Sequence, residues 1–292
     1  MYLRKITKLI LLFFVIFFIA CSIYASDLPE IKKKGVIRHL GIPYANFVTG
    51  AGDGFSVDLV KLFAKYLGLH YQFVKTDWKH VISDLIGKKI EVKGNEVKII
   101  GKCQIKGDII ATGFTVIGWR EKLVSYSDPL FPTQIWLVSR VKSRLTPIKP
   151  TGDISKDILA VLQQLKGVTV LNVRGTCLDA SLYGIEKYGA KVIDFHKNLN
   201  QLAPAVINGK AEATLLDVPD ALVALEKFSG HIEIIGPISK QQVMAAAFRK
   251  TSPQLREEFN RFLQKIKKDG TYLKLVKKYY PYVTDYYPEF FK

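Results

Sequence analysis

The sequence has few cysteines, histidines and methionines, and this shortage excludes several classes of protein. Three cysteines in 292 residues are too few for a disulfide framework, and Cys21 lies close to the N-terminus. The other two, Cys103 and Cys177, are expected to be free thiols on different parts of the fold. The five histidines are isolated and show no metal-binding spacing. The sequence therefore predicts no metal site and no cofactor.

Acidic residues are also scarce, and long apolar runs are absent beyond the N-terminus. The chain has 43 Lys and Arg against 26 Asp and Glu, a formal net charge of +17. The basic residues are spread along the chain and no nucleic-acid motif occurs, so nucleic acid is excluded as a partner. No period of about 20–50 residues repeats, which excludes a solenoid. The composition, 48% hydrophobic and 24% charged, is that of a globular protein.

The first 25 residues have the pattern of an export signal. Basic residues precede an uncharged apolar run over residues 9–20. That run is too short for a membrane span of about 20 residues and is typical of a signal peptide. Two processing routes stay open: cleavage after Ala25 would release a free protein, and lipidation at Cys21 would anchor it. Either route predicts a protein of the periplasm or cell envelope.

Beyond residue 25, strand and helix patterns alternate, which predicts an α/β fold. Pro147 and Pro150 mark a boundary between two units. The segment 89–106 alternates apolar and polar residues on both sides of Gly94-Asn95, a pattern typical of a β-hairpin. The role of this hairpin is left open.

The segment 107–129 contains the most informative motif. An apolar run ends at Gly113, Thr115 follows, and Arg120 comes five residues later, before Ser-Asp-Pro at 127–129. The hydroxyl and the guanidinium can face one small anion, and the arginine fork can bind a carboxylate at both oxygens. The motif resembles Gly-x-Thr-x-Thr-x-x-Arg…Phe-Ser-x-Pro of the periplasmic solute-binding proteins for polar amino acids, the family 3 type.

One position departs from this family pattern. Ile117 stands where the second threonine is expected, and Gly118-Trp119 replaces a polar pair. One hydroxyl contact to the ligand is lost as a result. We therefore interpret the pocket as less polar than that of the family at large.

The resemblance implies a two-lobed fold of the periplasmic-binding-protein type II class. Each lobe would be a mixed sheet flanked by helices, and two strands would form the hinge. Lobe 1 would comprise residues 26–138 plus 241–292, and lobe 2 residues 139–240. The hinge strands would lie near Leu137–Arg140 and Ile235–Ser239, and the cleft would close on its ligand by hinge motion.

The resemblance also implies ligand-binding roles in the first lobe. Arg120 would clamp a carboxylate while the Thr115 hydroxyl donates to it. The Gly113 carbonyl would face an ammonium group. Tyr44, in the loop after the first strand, would stack on the ligand side chain. Trp78 and Trp119 are candidates for either the pocket or the core.

The second lobe would complete the site. Gly175 and Thr176 precede a predicted helix over 178–188, whose free N–H groups would assist the carboxylate. By match to the family, Asp217 would take the ligand ammonium at the end of a strand. Asp220 suits the cap of the following helix better than Asp217 does.

These features together imply a non-catalytic, monomeric receptor. It would capture a polar amino acid or similar zwitterion and pass it to an ABC permease of the inner membrane. Two alternatives stay open. One is a cyclohexadienyl or arogenate dehydratase on the same scaffold, which would need a general acid in the cleft; no paired carboxylates single one out, so no catalytic residue is assigned. The other is a sensory or cell-wall-associated binding module.

Overall fold

The computed structural model describes residues 27–291, so the predicted signal peptide and Cys21 lie outside the described residues. Within that range no helix combines the length and the apolar character that crossing a membrane requires.

The first part of the chain alternates strands and helices and contains the hairpin. Its elements are, in chain order, α1 (Leu28–Lys34), β1 (Val36–Gly41), α2 (Phe55–Leu67), β2 (His70–Lys75), α3 (Val81–Ile86), β3 (Lys88–Lys93), β4 (Glu96–Lys102), β5 (Ile109–Ile110), α4 (Gly118–Glu121), β6 (Val124–Tyr126) and β7 (Phe131–Thr133).

The second part continues this alternation and ends in helices. Its elements are β8 (Ile135–Arg140), α5 (Ile154–Leu162), β9 (Thr169–Asn172), β10 (Lys191–Asp194), α6 (Leu202–Ile207), β11 (Ala213–Asp217), α7 (Val218–Lys227), β12 (Ile232–Pro237), β13 (Gln242–Met244), β14 (Ala247–Arg249), α8 (Pro253–Lys268), α9 (Thr271–Tyr279) and α10 (Val283–Tyr286). Four 3₁₀ turns lie at Ala180–Leu182, Ile185–Tyr188, Leu199–Gln201 and Pro288–Phe291.

Two mixed five-stranded sheets form the framework. The first has the order β2-β1-β5-β14-β6, with β1 parallel to β2 and β5 and with β14 antiparallel to its neighbours. The second has the order β10-β9-β11-β8-β12, with β9 parallel to β10 and β11. In this second sheet β8 runs antiparallel to β11 and β12. Two mixed sheets, each packed against helices, are the architecture that the resemblance implied.

The two crossings between the sheets lie nearer the first sheet than expected. Leu137–Arg140, expected as a hinge strand, is part of β8 and pairs with both β11 and β12 inside the second sheet. The chain crosses at Gln134 and over residues 238–241, where the Gln134 amide donates to the Ser239 carbonyl at 2.8 Å. The first boundary between the lobes, expected at residue 138, therefore lies at residue 134, because all of β8 pairs in the second sheet. Beside the crossings, β7 and β13 form a small antiparallel sheet.

The C-terminal helices return to the first sheet. Helix α8 packs against β14 and β6, and α9 packs against α2 and α8. The Asp27 carboxylate caps α1 and also accepts from the free N–H groups of Gln254 and Leu255 at the start of α8. One side chain thus satisfies free N–H donors at two helix N-termini and joins the start of the described chain to α8.

The predicted hairpin is present as β3 and β4, a separate two-stranded sheet. Lys93 pairs with Glu96, so Gly94 and Asn95 form a two-residue turn. Gly94 has a φ of 57°, and a positive φ at the first central position is what a II′ turn requires.

Candidate functional site

The loop after β5 brings the motif residues to the cleft between the sheets. Gly113 adopts a φ of 65°, and a Cβ added there would lie 2.5 Å from the Phe47 ring. Both the backbone conformation and the close ring exclude a side chain at this position. Thr115 follows, fully buried, and its hydroxyl oxygen has no hydrogen-bond partner. Helix α4 then carries Arg120.

The Arg120 guanidinium lies in an aromatic enclosure without a counter-ion. Only 1% of the residue is exposed, and Cζ lies 4.1 Å from the centre of the Phe114 ring and 5.4 Å from that of Trp119. Nη1 donates to the Thr115 carbonyl at 3.0 Å, whereas Nε has no partner. No carboxylate forms an ion pair with Arg120 within residues 27–291. Because a buried, unpaired cation is costly, this position favours an anion with two acceptor oxygens.

The loop after β1 reaches across the cleft from the first sheet. Tyr44 is buried, stacks edge-on against Trp78 at 5.4 Å, and donates its hydroxyl hydrogen to the Asp217 carboxylate. Ala45 has a positive φ of 43°, and its N–H donates to Asn200 Oδ1 of the second part of the chain at 3.0 Å. A non-glycine residue in this region is strained, so the loop is held in place by its contacts.

Asp217 ends β11 at the carboxyl edge of the second sheet and is fully buried. One oxygen accepts from the Asp220 N–H at 3.2 Å, and the other accepts from Tyr44. Asp217 is therefore the N-cap of α7, a role that the sequence had suggested for Asp220. The correction has a simple reason: Val218 and Pro219 already belong to the helix, so the cap precedes them.

Asp217 and Asp220 form a buried acidic pair. Burial raises the pKa of Asp217 to about 6, although hydrogen bonds from Tyr44 and the Asp220 N–H oppose the rise. Burial, and then the charge of Asp217, raise the pKa of Asp220 far above its usual range. Of the two carboxyl groups, Asp217 is therefore the one that ionises more readily. Within the described range, no ion pair involves either carboxylate.

Cys177 lies where the two charged regions meet. Its Sγ is 3.9 Å from Asp217 Oδ2. Burial is the main cause that raises the pKa of this thiol to about 12; the Asp217 charge adds to it, and Arg120 and Thr115 oppose it. Groups from both lobes therefore affect the pKa of this thiol. Because the pKa is raised, Cys177 is a buried structural thiol and not a reactive one. Cys103 and Cys177 are both free.

The segment 175–188 differs from its predicted form. In place of a helix over 178–188, two short 3₁₀ turns occur. The Gly175 N–H donates to Asp179 Oδ2 at 3.2 Å, and the Thr176 hydroxyl donates to the Val173 carbonyl at 2.7 Å. Neither of these two donors points its hydrogen to the cleft. The predicted helix over 178–188 is therefore wrong, whereas the ligand-binding role of Gly175 and Thr176 stays a prediction.

Some residues of the site carried no functional assignment from the sequence. The Tyr126 hydroxyl donates to the Thr115 carbonyl at 3.3 Å, beside Arg120. Asn200 receives the Ala45 N–H, and Asp220 completes the acidic pair. The sequence could have pointed to Tyr126, because this residue precedes Ser127 of the motif. No sequence pattern could have pointed to Asn200, because its partner Ala45 is remote in sequence. No cluster of metal-ligating side chains occurs in the described part of the chain.

The molecule has two α/β lobes, and buried groups of opposite charge lie in the cleft between them. This arrangement places it in the class of two-lobed solute-binding proteins. The sequence model of the bacterial extracellular solute-binding proteins, family 3, matches residues 41–102 and 103–282. This chain belongs to that family.

Similar proteins and structures agree with this assignment. The lysine/arginine/ornithine-binding periplasmic protein of Escherichia coli K12 is 26% identical over an alignment of 284 residues that covers 90% of this chain and 92% of that protein. The structure of the P235GK mutant of ArgBP from T. maritima superposes with a TM-score of 0.68 at 26% identity, covering 87% of this chain and 98% of the other. A membrane-bound lytic murein transglycosylase F of Desulfosudis oleivorans is 27% identical over 230 residues, but the match spans only 44% of its length.

Proposed function

We propose that this chain is a non-catalytic receptor of the periplasm or cell envelope that binds a small zwitterion of the amino-acid type and delivers it to an ABC-type importer. The lysine/arginine/ornithine-binding relative is periplasmic by its name and matches this chain over nearly its whole length, which supports this localisation. The exported leader that the sequence predicts is consistent with the same location.

One observation carries the proposal: the cleft holds a buried guanidinium and a buried carboxyl group, and within residues 27–291 neither forms an ion pair. Arg120 has no carboxylate beside it there, and Asp217 has no cation. Each charge is costly when buried alone. A zwitterion supplies a carboxylate to the first and an ammonium to the second, so it satisfies both at once.

The aromatic residues of the cleft support a binding role more than a catalytic one. Tyr44, Trp78 and Trp119 provide aromatic walls around the charged groups. The Asp217 carboxylate accepts from the Asp220 N–H at the cap of α7 and from the Tyr44 hydroxyl. We therefore assign the cleft residues to binding and positioning.

A thermal-shift screen tests the proposal. The chain would be heated with amino acids, polyamines, short peptides and keto acids, with cationic and neutral side chains both represented. A ligand at about one hundred times its dissociation constant stabilises the fold by about 2.7 kcal/mol, a shift of roughly 5–10 °C for a chain of this size. We expect a shift with one class of amino acid.

Two variants serve as the test and its control. Arg120→Ala should abolish the ligand-induced shift. Arg144→Ala, which removes an exposed arginine paired with Glu212, should leave it unchanged. The absence of a shift with every zwitterion, or a shift that survives Arg120→Ala, would overturn the proposal.

A further inference from the structure

The β3–β4 hairpin extends from the first lobe to the two loops that carry the site. Lys122 lies two residues after Arg120, and its ammonium group donates a 3.0 Å hydrogen bond to the Asn95 carbonyl in the turn. On the other side, a Cβ built on Gly94 lies 3.5 Å from Ser181 Oγ. Ser181 belongs to the 3₁₀ turn that follows Cys177. The turn of the hairpin therefore touches both walls of the cleft.

The hairpin has two chemically different faces. Register pairs Ile90 with Ile99 and Val92 with Val97, so these four side chains share one face. The two valines and Ile90 are half-buried and pack against the hydrophobic core. The opposite face is charged and exposed; it carries Lys89, Glu91, Lys93, Glu96 and Lys98. Near its turn the hairpin therefore has its apolar face inward, whereas Ile99 and Ile100, farther from the turn, are exposed by 56% and 61%.

We propose that the β3–β4 hairpin is a lid that holds the cleft shut by seating its turn on the Ser181 segment of the second lobe. This inference rests on the proposed function only in that the cleft is the ligand site. Lys122 fixes the turn beside the helix that bears Arg120, and the half-buried valines contribute the apolar contact. Opening the cleft requires the Gly94–Ser181 contact to break.

Cys177 provides a readout of opening that needs no ligand. Only 4% of it is exposed, so a thiol reagent reaches it through the open form. Ellman's reagent would be applied to the full chain carrying Cys21→Ser and Cys103→Ser, which leaves Cys177 as its single thiol. The rate of modification then reports the fraction of time that the cleft is open.

The decisive variant shortens the lid without removing its base. Replacing residues 92–97 by Asn-Gly joins Glu91 to Lys98, which already pair in register, through a two-residue turn. The turn then retreats by two residue pairs, about 7 Å. We expect Cys177 to react about tenfold faster, the equivalent of about 1.4 kcal/mol. Lys93→Gln, on the exposed face, is the matched control and should leave the rate unchanged.

A second measurement covers the case in which the shortened chain fails to fold, which a thermal melt would reveal. In the same background, Gly94→Cys with Ser181→Cys places two thiols within bonding reach. Oxidation should link them and slow the labelling of Cys177, and reduction should restore it; a thioether-forming reagent and peptide mass spectrometry follow Cys177 itself, because the reduced pair adds two further thiols. An unchanged Cys177 rate in the folded shortened chain, or a pair that does not crosslink, would overturn the lid. The ligand screen could still succeed in either case, so the two proposals fail independently.

Discussion

Replacing Asp217 by asparagine should change the pH dependence of stability in a defined direction. In the native chain its pKa is about 6, because burial disfavours the charged form. In an unfolded chain an aspartate has a pKa of about 3.9. Between these two pKa values the native state binds more protons than the unfolded state. The contribution of this carboxyl to the free energy of unfolding therefore falls as the pH rises from about 4 to about 6.

The magnitude follows from the difference of about two pKa units. Each unit is about 1.4 kcal/mol, so the free energy of unfolding should fall by about 3 kcal/mol through this one group. Other carboxylates oppose it: Asp108, for example, has a pKa lowered by the Arg38 guanidinium, although burial acts against that. The quantity to follow is therefore the difference between the native chain and Asp217→Asn.

Guanidinium chloride unfolding of both chains between about pH 4 and 7.5 measures this difference. We expect the free energy of unfolding of the native chain, relative to that of Asp217→Asn, to fall by about 3 kcal/mol over this pH range. Ligand affinity should run the opposite way and weaken about tenfold per pH unit below about 6, because the ammonium needs the ionised carboxylate. A stability difference that is flat or rises with pH would refute the reasoning, since Asp217 would then titrate at its ordinary pKa.

Two substitutions test how the cleft is built. Tyr44→Phe removes the hydroxyl that donates to Asp217, and should lower the free energy of unfolding by about 1.5–3 kcal/mol in denaturant titrations; an unchanged value would show that the bond is absent in solution. Gly113→Ala should destabilise by at least about 2 kcal/mol, because the added Cβ meets Phe47 at a positive φ. Gly118→Ala, where nothing lies within 4 Å, should be neutral or stabilising; equal thermal shifts for the two alanine variants would contradict the account.

Local patterns carry most of the fold. The hairpin follows from alternation around Gly94-Asn95, and α2 follows from apolar residues at helical spacing that end at Gly68. The segment 178–188 shows the limit of such patterns. Its apolar spacing suits a helix, but Gly184 takes a positive φ of 63° and divides it into two 3₁₀ turns.

The site was predictable where one motif carries it and not where two remote segments meet. The motif after Gly113 singled out Arg120, and the match to the family singled out Asp217. The bond between Tyr44 and Asp217 joins residues 173 positions apart, and no local pattern encodes that contact. The pKa of Asp217 also depends on burial by the whole fold, so its value could not be derived from the sequence.

The central claim is that the cleft requires both charges of a zwitterion, and one calorimetric comparison tests it directly. The amino acid found by the screen would be titrated beside its decarboxylated amine and its deaminated acid. The account predicts that the zwitterion binds and that each analogue loses at least about a hundredfold in affinity, about 2.8 kcal/mol. An acid or an amine that binds as tightly as the zwitterion would contradict it, because Asp217 or Arg120 would then have no part in recognition.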